Sequence, residues 1–162
     1  MSINIPAFLK SLNHPVKFRM FLLSRLPIAF FAGVRIKKIN ETSCDVTVPY
    51  KWFTKNPFHS TYFACLSMAA EMSTGALCLV HLYKRKPGLS MLVVRVESEY
   101  FKKATGRTHF ICEDGSKIKE TIEQAARTGE SKIIRARSVG RNNEGIIVAE
   151  FYITWSFKLR TN

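Results

Sequence analysis

The stretch NPFHSTYFACLSMAAEMSTGALCLV, residues 56–80, decides the fold of this chain. Apolar or small residues cover nearly every side of it, and KRKPG follows as a stop signal, so it predicts a helix from about residue 61 to residue 83. A helix that is apolar on most sides is buried on most sides. Yet Glu71 lies in its middle, the only acidic residue between Asp45 and Glu97. The stretch therefore predicts a core helix that carries one carboxyl group in apolar surroundings.

The rest of the sequence predicts helices before this stretch and strands on both sides of it. Two N-terminal helices are predicted at residues 6–13 and 15–26, each opened by a proline suited to a first helical turn. Alternating apolar and polar residues predict strands at 34–39, 44–50, 89–101, 107–113, 131–139 and 145–159. Residues 116–128 predict a short exposed helix or helical crossover.

This order of elements predicts an α+β fold, in which one curved antiparallel sheet wraps one long central helix. The length of 162 residues suits one domain with a real hydrophobic core. We expect a single domain over residues 1–162, made of an N-terminal helical segment at residues 1–32 and a core at residues 33–162.

Composition limits the classes of partner. The net charge of +13 favours a nucleotide-bearing ligand, nucleic acid or an anionic membrane surface. Nucleic acid is the least favoured, because only charge supports it and the aromatic residues alternate as core residues do. The four cysteines are scattered, without the spacing of a metal site, and predict a reduced chain in the cytoplasm. No transmembrane helix is apparent, and no metal or cofactor is expected.

The first forty residues contain no Asp or Glu and mix Phe and Leu with Lys and Arg. That composition is typical of a transit peptide or of a helix that contacts a membrane surface. The alternative is a pair of amphipathic helices packed on the domain. The direct run into a strand pattern favours this alternative.

Polar residues accompany Glu71 on one side of the predicted core helix. At helical spacing Ser67 and Thr74 are its neighbours, and Ser60 lies farther along the same stripe. The other neighbours are apolar, and such surroundings raise the pKa of a carboxyl group towards the range useful in a general base. A buried glutamic acid can equally be a hydrogen-bonded core residue, and the pattern alone leaves both interpretations open.

These features resemble the hotdog-fold thioesterase superfamily, in particular acyl-CoA thioesterases of the phenylacetate-pathway type and a related hotdog branch of unknown function. The family's active-site stretch reads Asn-x-x-Gly-x-x-His-Gly-Gly, followed by an acid on the helix. Asn56 lies at the Asn, His59 at the first Gly, Tyr62, Phe63 and Ala64 at His-Gly-Gly, and Glu71 at the acid. The segments RVESEYFKKATG and EGIIVAEFYITWSF are similar to two of the family's strands.

The resemblance implies hydrolysis of an acyl thioester, including a fatty acyl thioester, carried by coenzyme A or an acyl carrier protein. Glu71 would be the general base, and Asn56 would orient the attacking water or the thioester. Backbone N–H groups of Phe63 and Ala64 would form the oxyanion hole, because the first turn of a helix has free donors. A lone histidine before a helix is more often a cap or a surface residue, so His59 is not expected to be the base.

The resemblance also implies a homodimer or a dimer of dimers, with the site between two protomers. Lys84, Arg135 and Arg137 are candidates for binding the phosphates of coenzyme A. The alternative function is a non-catalytic protein that binds acyl-CoA, because His-Gly-Gly is replaced. A dehydratase is less favoured, because the chain lacks a histidine where that branch places one.

Overall fold

The computed structural model describes residues 5–160. Within them the chain forms five α-helices, one 3-10 turn and six strands. The helices are α1 (Ile5–Asn13), α2 (Pro15–Arg25), α3 (Pro27–Ala32), α4 (Phe63–Leu82) and α5 (Gly115–Thr128), with the 3-10 turn at Trp52–Thr54. The strands are β1 (Arg35–Ile39), β2 (Cys44–Val48), β3 (Leu89–Tyr100), β4 (Thr108–Cys112), β5 (Lys132–Arg141) and β6 (Ile147–Leu159).

The strands form one antiparallel sheet in the order β1-β2-β4-β5-β6-β3. The central helix α4 packs against β2, β4, β5 and β6, so its burial comes mainly from the sheet. The predicted α+β fold, an antiparallel sheet with one long helix, is confirmed. β3 pairs with β6 over its whole length and forms one edge of the sheet.

Helix α4 is buried on nearly every side, as its composition predicts. Its fully buried residues include Ala69 and Cys78, which are nine positions apart and therefore lie on opposite sides of the helix. This helix is long and apolar enough to cross a membrane by length and composition, which the sequence analysis did not recognise. Because the sheet and the other helices cover most of it, α4 is the core helix of the fold.

The prediction that residues 116–128 form an exposed helix is wrong for one of its faces. Ile118, Ile122 and Ala125 are completely buried, and α5 packs on α4, β5 and β6. A Cβ atom at Gly115 would lie 2.3 Å from the carbonyl oxygen of Glu41, so a residue without a side chain is needed where α5 begins. The polar residues of α5 face solvent, and its apolar stripe covers one side of α4.

Three helices, and not the two predicted, precede the sheet. Leu26 ends α2 and directly precedes α3, which has Pro27 in its first turn and ends at Gly33 in the left-handed conformation (φ 78°). The predicted end of the second helix, at residue 26, agrees with the structure to within one residue, and the helix that was not predicted is α3. α3 packs against α2, α4 and the 3-10 turn.

The first helix is attached to both the sheet and α4. The amide of Asn13 donates to the carbonyl oxygen of Ile39 (2.9 Å) and accepts from the N–H of Ile39 (3.0 Å), as a neighbouring strand would. The ring of Phe8 stacks on Tyr83 at 4.1 Å, near the end of α4. The helices of the N-terminal segment therefore pack on the core of the protein.

Candidate active site

Glu71 lies in the middle of α4 and is half-buried. Within residues 5–160 its carboxylate accepts no hydrogen bond and forms no ion pair. Burial raises the pKa of the Glu71 carboxyl above its ordinary value, because the charged form loses solvation. The carboxylate oxygens are not completely buried, so they remain accessible to a water molecule or a ligand.

Gly75, one helical turn after Glu71, makes room for the carboxylate. A Cβ atom at Gly75 would lie 3.0 Å from Oε1 of Glu71 and 3.1 Å from Cζ2 of Trp155. A larger residue would push against both groups. Glycine therefore lets the carboxylate and the indole approach the helix closely, a requirement that the sequence analysis did not identify.

Glu71 opens into a cavity of about 410 Å³, which we call the Glu71 cavity. Its walls come from α1, α2, β1, β3 and α4, so the N-terminal helices cover it. Most of its lining is apolar, and Glu71 is the only acidic group there among the described residues. The lining residues are Phe8, Ser11, Leu12, Lys17, Phe18, Phe21, Leu22, Leu26, Ile36, Glu71, Met72, Gly75, Ala76, Leu79, Tyr83 and Met91.

The two polar neighbours predicted for Glu71 do not line this cavity. The hydroxyl of Thr74 donates to the carbonyl oxygen of Glu71 (3.0 Å) and accepts from the indole N–H of Trp155 (2.9 Å). Ser67 is half-buried outside the cavity lining. Thr74 therefore has a structural role, fixing Trp155 against the helix.

The loop before α4 is organised by Asn56. Its side-chain oxygen accepts from the N–H of Phe58 (3.0 Å), from the N–H of Ser60 (3.1 Å) and from the hydroxyl of Ser60 (3.2 Å). His59 is exposed and has a φ of 59°, in the left-handed region that favours glycine. Glycine adopts this conformation without strain, and glycine stands at this position in the motif that the sequence resembles.

The start of α4 offers free donors, as predicted. Tyr62 is the N-terminal cap, and no side chain caps the helix. Among the described residues, the N–H groups of Phe63 and Ala64 have no acceptor. The ring of Phe63 is 55% exposed, so it points away from the core. The first turn can therefore donate to an anionic or carbonyl oxygen.

A second cavity, of about 600 Å³, lies at this start of α4, and we call it the Asn56 cavity. Its lining residues are Asn56, Pro57, Phe58, Ser60, Thr61, Tyr62, Phe63, Leu66, Tyr100, Phe101, Lys102, Lys103 and Ala104. The ammonium group of Lys103 donates to the carbonyl oxygen of Phe58 at 3.2 Å. The sequence analysis did not place Lys102 and Lys103 near Asn56.

Asn56 and Glu71 do not meet within one chain. The two cavities share no lining residue. Glu71 also follows Phe63 by more than two helical turns, which separates them by roughly 12 Å along the axis. Within one chain, Asn56 and Glu71 therefore belong to two separate cavities.

The predicted phosphate ligands lie in two parts of the chain, with Arg135 and Arg137 in β5 and Lys84 after α4. Arg135 donates to Glu97 (2.8 Å) and stacks on the ring of Tyr152 (3.5 Å). Arg137 pairs with Glu150. Lys84 is exposed after α4, with its ammonium 5.4 Å from the centre of the Tyr83 ring. The carboxylate partners compensate the charge of both arginines, so their role in binding phosphates stays a prediction.

The sequence matches, over residues 16–157, the model of a family described as Domain of unknown function (DUF4442). No curated protein matches the sequence.

Solved structures with the same fold include proteins of several bacteria. One, from Pseudomonas aeruginosa, is described as a protein of unknown function and probable thioesterase; the TM-score is 0.76 at 18% identity, over 90% of this chain and 97% of the other. A protein of unknown function from Chlorobaculum tepidum gives 0.75 at 18% identity, over 93% and 99%. A thioesterase from Haemophilus influenzae gives 0.64 at 12% identity, over 89% and 90%. At this identity the likeness shows the fold, and the predicted resemblance to hotdog-fold thioesterases is confirmed.

Proposed function

We propose that this chain, which belongs to the DUF4442 family, is a thioesterase that hydrolyses acyl thioesters, with Glu71 as the general base. The observation that carries the proposal is the unpaired Glu71 carboxylate, which opens into an apolar cavity large enough for a ligand. An apolar cavity suits a fatty acyl chain. A carboxylate at its wall can act as the general base that hydrolyses the thioester at the end of this acyl chain.

The active form in this proposal is a homodimer built along β3. β3 is a long edge strand, and its residues Val96 and Tyr100 lie beside Ile153 and Phe151, which are buried on the inner side of the sheet. Yet Val96 is 51% exposed and Tyr100 is 46% exposed. An exposed inner side at an edge strand is a surface that a second copy of the chain would cover.

Antiparallel pairing of two β3 strands would bring the two half-sites together. Met91, near the start of β3, lines the Glu71 cavity, whereas Tyr100, at its end, lines the Asn56 cavity. A two-fold axis across β3 sets the start of one strand beside the end of the other. Each Glu71 then faces the Asn56 loop and the first turn of α4 of the partner subunit.

In the proposed reaction the Glu71 carboxylate takes a proton from a water molecule while the water oxygen attacks the thioester carbonyl carbon. The carbonyl oxygen becomes negative and accepts hydrogen bonds from the free N–H groups of Phe63 and Ala64 in the partner subunit. The carbon–sulfur bond then breaks, and the thiolate leaves and receives the proton from Glu71. The products are a fatty acid and a thiol, and no cofactor is required.

The thiol carrier in this proposal is coenzyme A. Lys102 and Lys103 at the Asn56 cavity support it, because they place positive charge beside the half-site that receives the thioester head. An acyl carrier protein is the other acidic carrier compatible with the chain's net charge of +13. We also propose a cytoplasmic location, supported by four free, buried cysteines among the described residues.

A specific observation favours a second function, the binding of acyl-CoA without hydrolysis. Tyr62, Phe63 and Ala64 stand where similar thioesterases have His-Gly-Gly, and the oxygen of Asn56 is already used within its own loop. Both features reduce the access of a thioester to the first turn of α4.

The test is thiol release from straight-chain acyl-CoA thioesters, from acetyl to palmitoyl, by the wild type and by Glu71→Gln. Glutamine keeps the size of the side chain and removes its basicity. If Glu71 is the base, turnover falls about a hundredfold or more, while binding of acyl-CoA, followed by calorimetry, is retained. Thr74→Ser, whose hydroxyl keeps its structural bonds, is the control and should remain active. A wild type that binds these thioesters and hydrolyses none would establish the binding function instead.

A further inference from the structure

The outward side of α2 is apolar although solvent surrounds it. Phe18 and Leu22 point into the protein and are buried. Val16, Met20 and Leu23 recur at helical spacing on the opposite side and are 64%, 60% and 40% exposed. A helix on the surface of a soluble domain ordinarily carries polar residues on that side, so this stripe requires an explanation.

The apolar surface continues along α3. Ile28 and Phe31 are 71% and 52% exposed, and the ring of Phe31 lies 6.2 Å from that of Phe53 in the 3-10 turn. We call the five exposed residues of the two helices the outer face, namely Val16, Met20, Leu23, Ile28 and Phe31. Such a group of neighbouring exposed side chains marks a surface that contacts an apolar partner.

Only positive charge accompanies the outer face. Residues 5–40 contain no Asp or Glu, and Lys17 and Arg25 on α2 are both exposed. A second copy of the chain would bring like charges together across a two-fold axis, which is unfavourable. An anionic lipid surface supplies both an apolar interior and the opposite charge.

Helix α2 lies between the outer face and the Glu71 cavity. Phe18 and Leu22, on the side of α2 opposite the outer face, line that cavity. Phe21 of α2 and Leu26, which follows this helix, also line the cavity and are 45% and 44% exposed, so the cavity reaches the surface beside α2. The outer face therefore lies one helix diameter, roughly 10–12 Å, from the cavity.

We propose that the outer face of α2 and α3 docks on an anionic lipid bilayer, with the helices lying in its interface. The proposal deepens the proposed function, because docking would place the opening of the Glu71 cavity next to the source of acyl chains. Docking itself depends only on the outer face and its cations, and it requires no hydrolysis.

The test is co-sedimentation of the full chain with vesicles of phosphatidylcholine alone and of phosphatidylcholine mixed with phosphatidylglycerol. We expect sedimentation with the mixed vesicles, weakened by added salt, and little with the neutral ones. The double variant Met20→Glu/Leu23→Glu should lower the bound-to-free ratio about tenfold or more, because it removes apolar contact and repels the anionic lipid. Lys17→Gln and Arg25→Gln should each lower it about fivefold.

Two controls separate the possible outcomes. Ile133→Glu changes an equally exposed apolar residue on β5, 66% exposed, and should bind vesicles as the wild type does. Glu71→Gln should also bind them normally, so that docking stands even if no thioester is hydrolysed. The proposal is overturned if the wild type binds neither kind of vesicle, or binds both equally. It is also overturned if Met20→Glu/Leu23→Glu retains vesicle binding but lowers the oligomeric mass in light scattering, since a second copy would then cover the face.

Discussion

The two cavities along α4 differ in every property that matters for a thioester. The Glu71 cavity is apolar, is covered by α1 and α2, and contains an unpaired carboxylate. The Asn56 cavity has two lysines and the free N–H groups of a helix start, and it has no acid among its lining residues. A fatty acyl thioester has the same two parts, an apolar chain and a polar, anionic carrier. In the proposed function each cavity binds one of these parts, and the reaction requires both cavities.

The largest effect is expected when one cavity is inactivated in each of two protomers, which tests whether Glu71 and Asn56 act from different protomers. Glu71→Gln and Asn56→Ala, which disrupts the loop at the start of α4, should each abolish most of the turnover. Co-expressed with different tags and purified as a mixture, they should regain about a quarter of wild-type activity, since half of the dimers are mixed and each of these has one intact site. Activity no higher than that of the two parents would place both groups in the same chain.

The second prediction concerns the proposed dimer along β3. Val96→Glu places like charges near each other across the proposed two-fold axis and should dissociate the dimer, since such contacts cost several kcal/mol. Light scattering should show the monomer mass, and turnover should fall at least about tenfold at the same concentration. Ile133→Glu, away from the edge strand, should leave both measurements unchanged. A monomeric Val96→Glu protein with full turnover would show that the site lies within one chain.

The division of substrate between the cavities predicts an effect of chain length. Ala76 is buried and lines the Glu71 cavity, so Ala76→Leu fills part of it. KM for long acyl-CoA should rise roughly fourfold for each methylene excluded, since burying one contributes about 0.8 kcal/mol, and KM for acetyl-CoA should not change. Ala104→Leu makes the same change in the Asn56 cavity. Its effect on KM should be the same for short and long acyl chains. If Ala76→Leu changed KM equally for all chain lengths, the assignment of the acyl chain to the Glu71 cavity would be wrong.

The lysines of the Asn56 cavity should show a smaller effect, because they are exposed and partly screened. Lys102→Gln with Lys103→Gln should raise KM for acyl-CoA about two- to fivefold per residue at low salt, and less at high salt. An acyl thioester of N-acetylcysteamine, which lacks the phosphates, should be unaffected. Lys158→Gln, an exposed lysine on β6, is the control. An equal loss with both thioesters would argue against phosphate binding.

The smallest predicted effect is on stability. Because folding raises the pKa of Glu71, wild-type stability is fully present when this carboxyl is protonated and declines as pH rises through the raised pKa. Glu71→Gln should therefore melt higher than the wild type at neutral pH, by about 2–4 °C if the gain is about 1 kcal/mol. The difference should disappear at about pH 3, well below the unfolded-state pKa of glutamic acid, where the carboxyl is neutral in both states. A lower melting temperature at neutral pH would show that the carboxylate has a stabilising partner.

The core of the fold was predictable, because it depends on local patterns. The composition of residues 61–83 required a buried helix, and the alternation in β6 required a strand with one apolar side. The spacing from Asn56 to Glu71 was visible as well. Its consequence, that more than two helical turns separate the start of α4 from Glu71, follows from helix geometry alone.

The cavities were not predictable, because they form where distant segments pack together. The wall of the Glu71 cavity depends on how Phe8 and Phe18 of the first two helices meet α4. The approach of Lys102 and Lys103 to Asn56 depends on the length and register of β3. The carboxylate partners of Arg135 and Arg137 were not predictable for a similar reason, since they lie on neighbouring strands and are set by the register of the sheet.

The contact at Gly75 also provides a built-in optical reporter. The chain has two tryptophans: Trp155 is 4% exposed and lies against Gly75 close to Glu71, whereas Trp52 is 73% exposed in the 3-10 turn. Trp52→Phe would leave a protein whose intrinsic fluorescence comes from the buried indole alone. Its emission should respond to the ionisation of Glu71 and to the entry of an acyl chain, so that occupation of the cavity can be followed in real time without a label or a turnover assay.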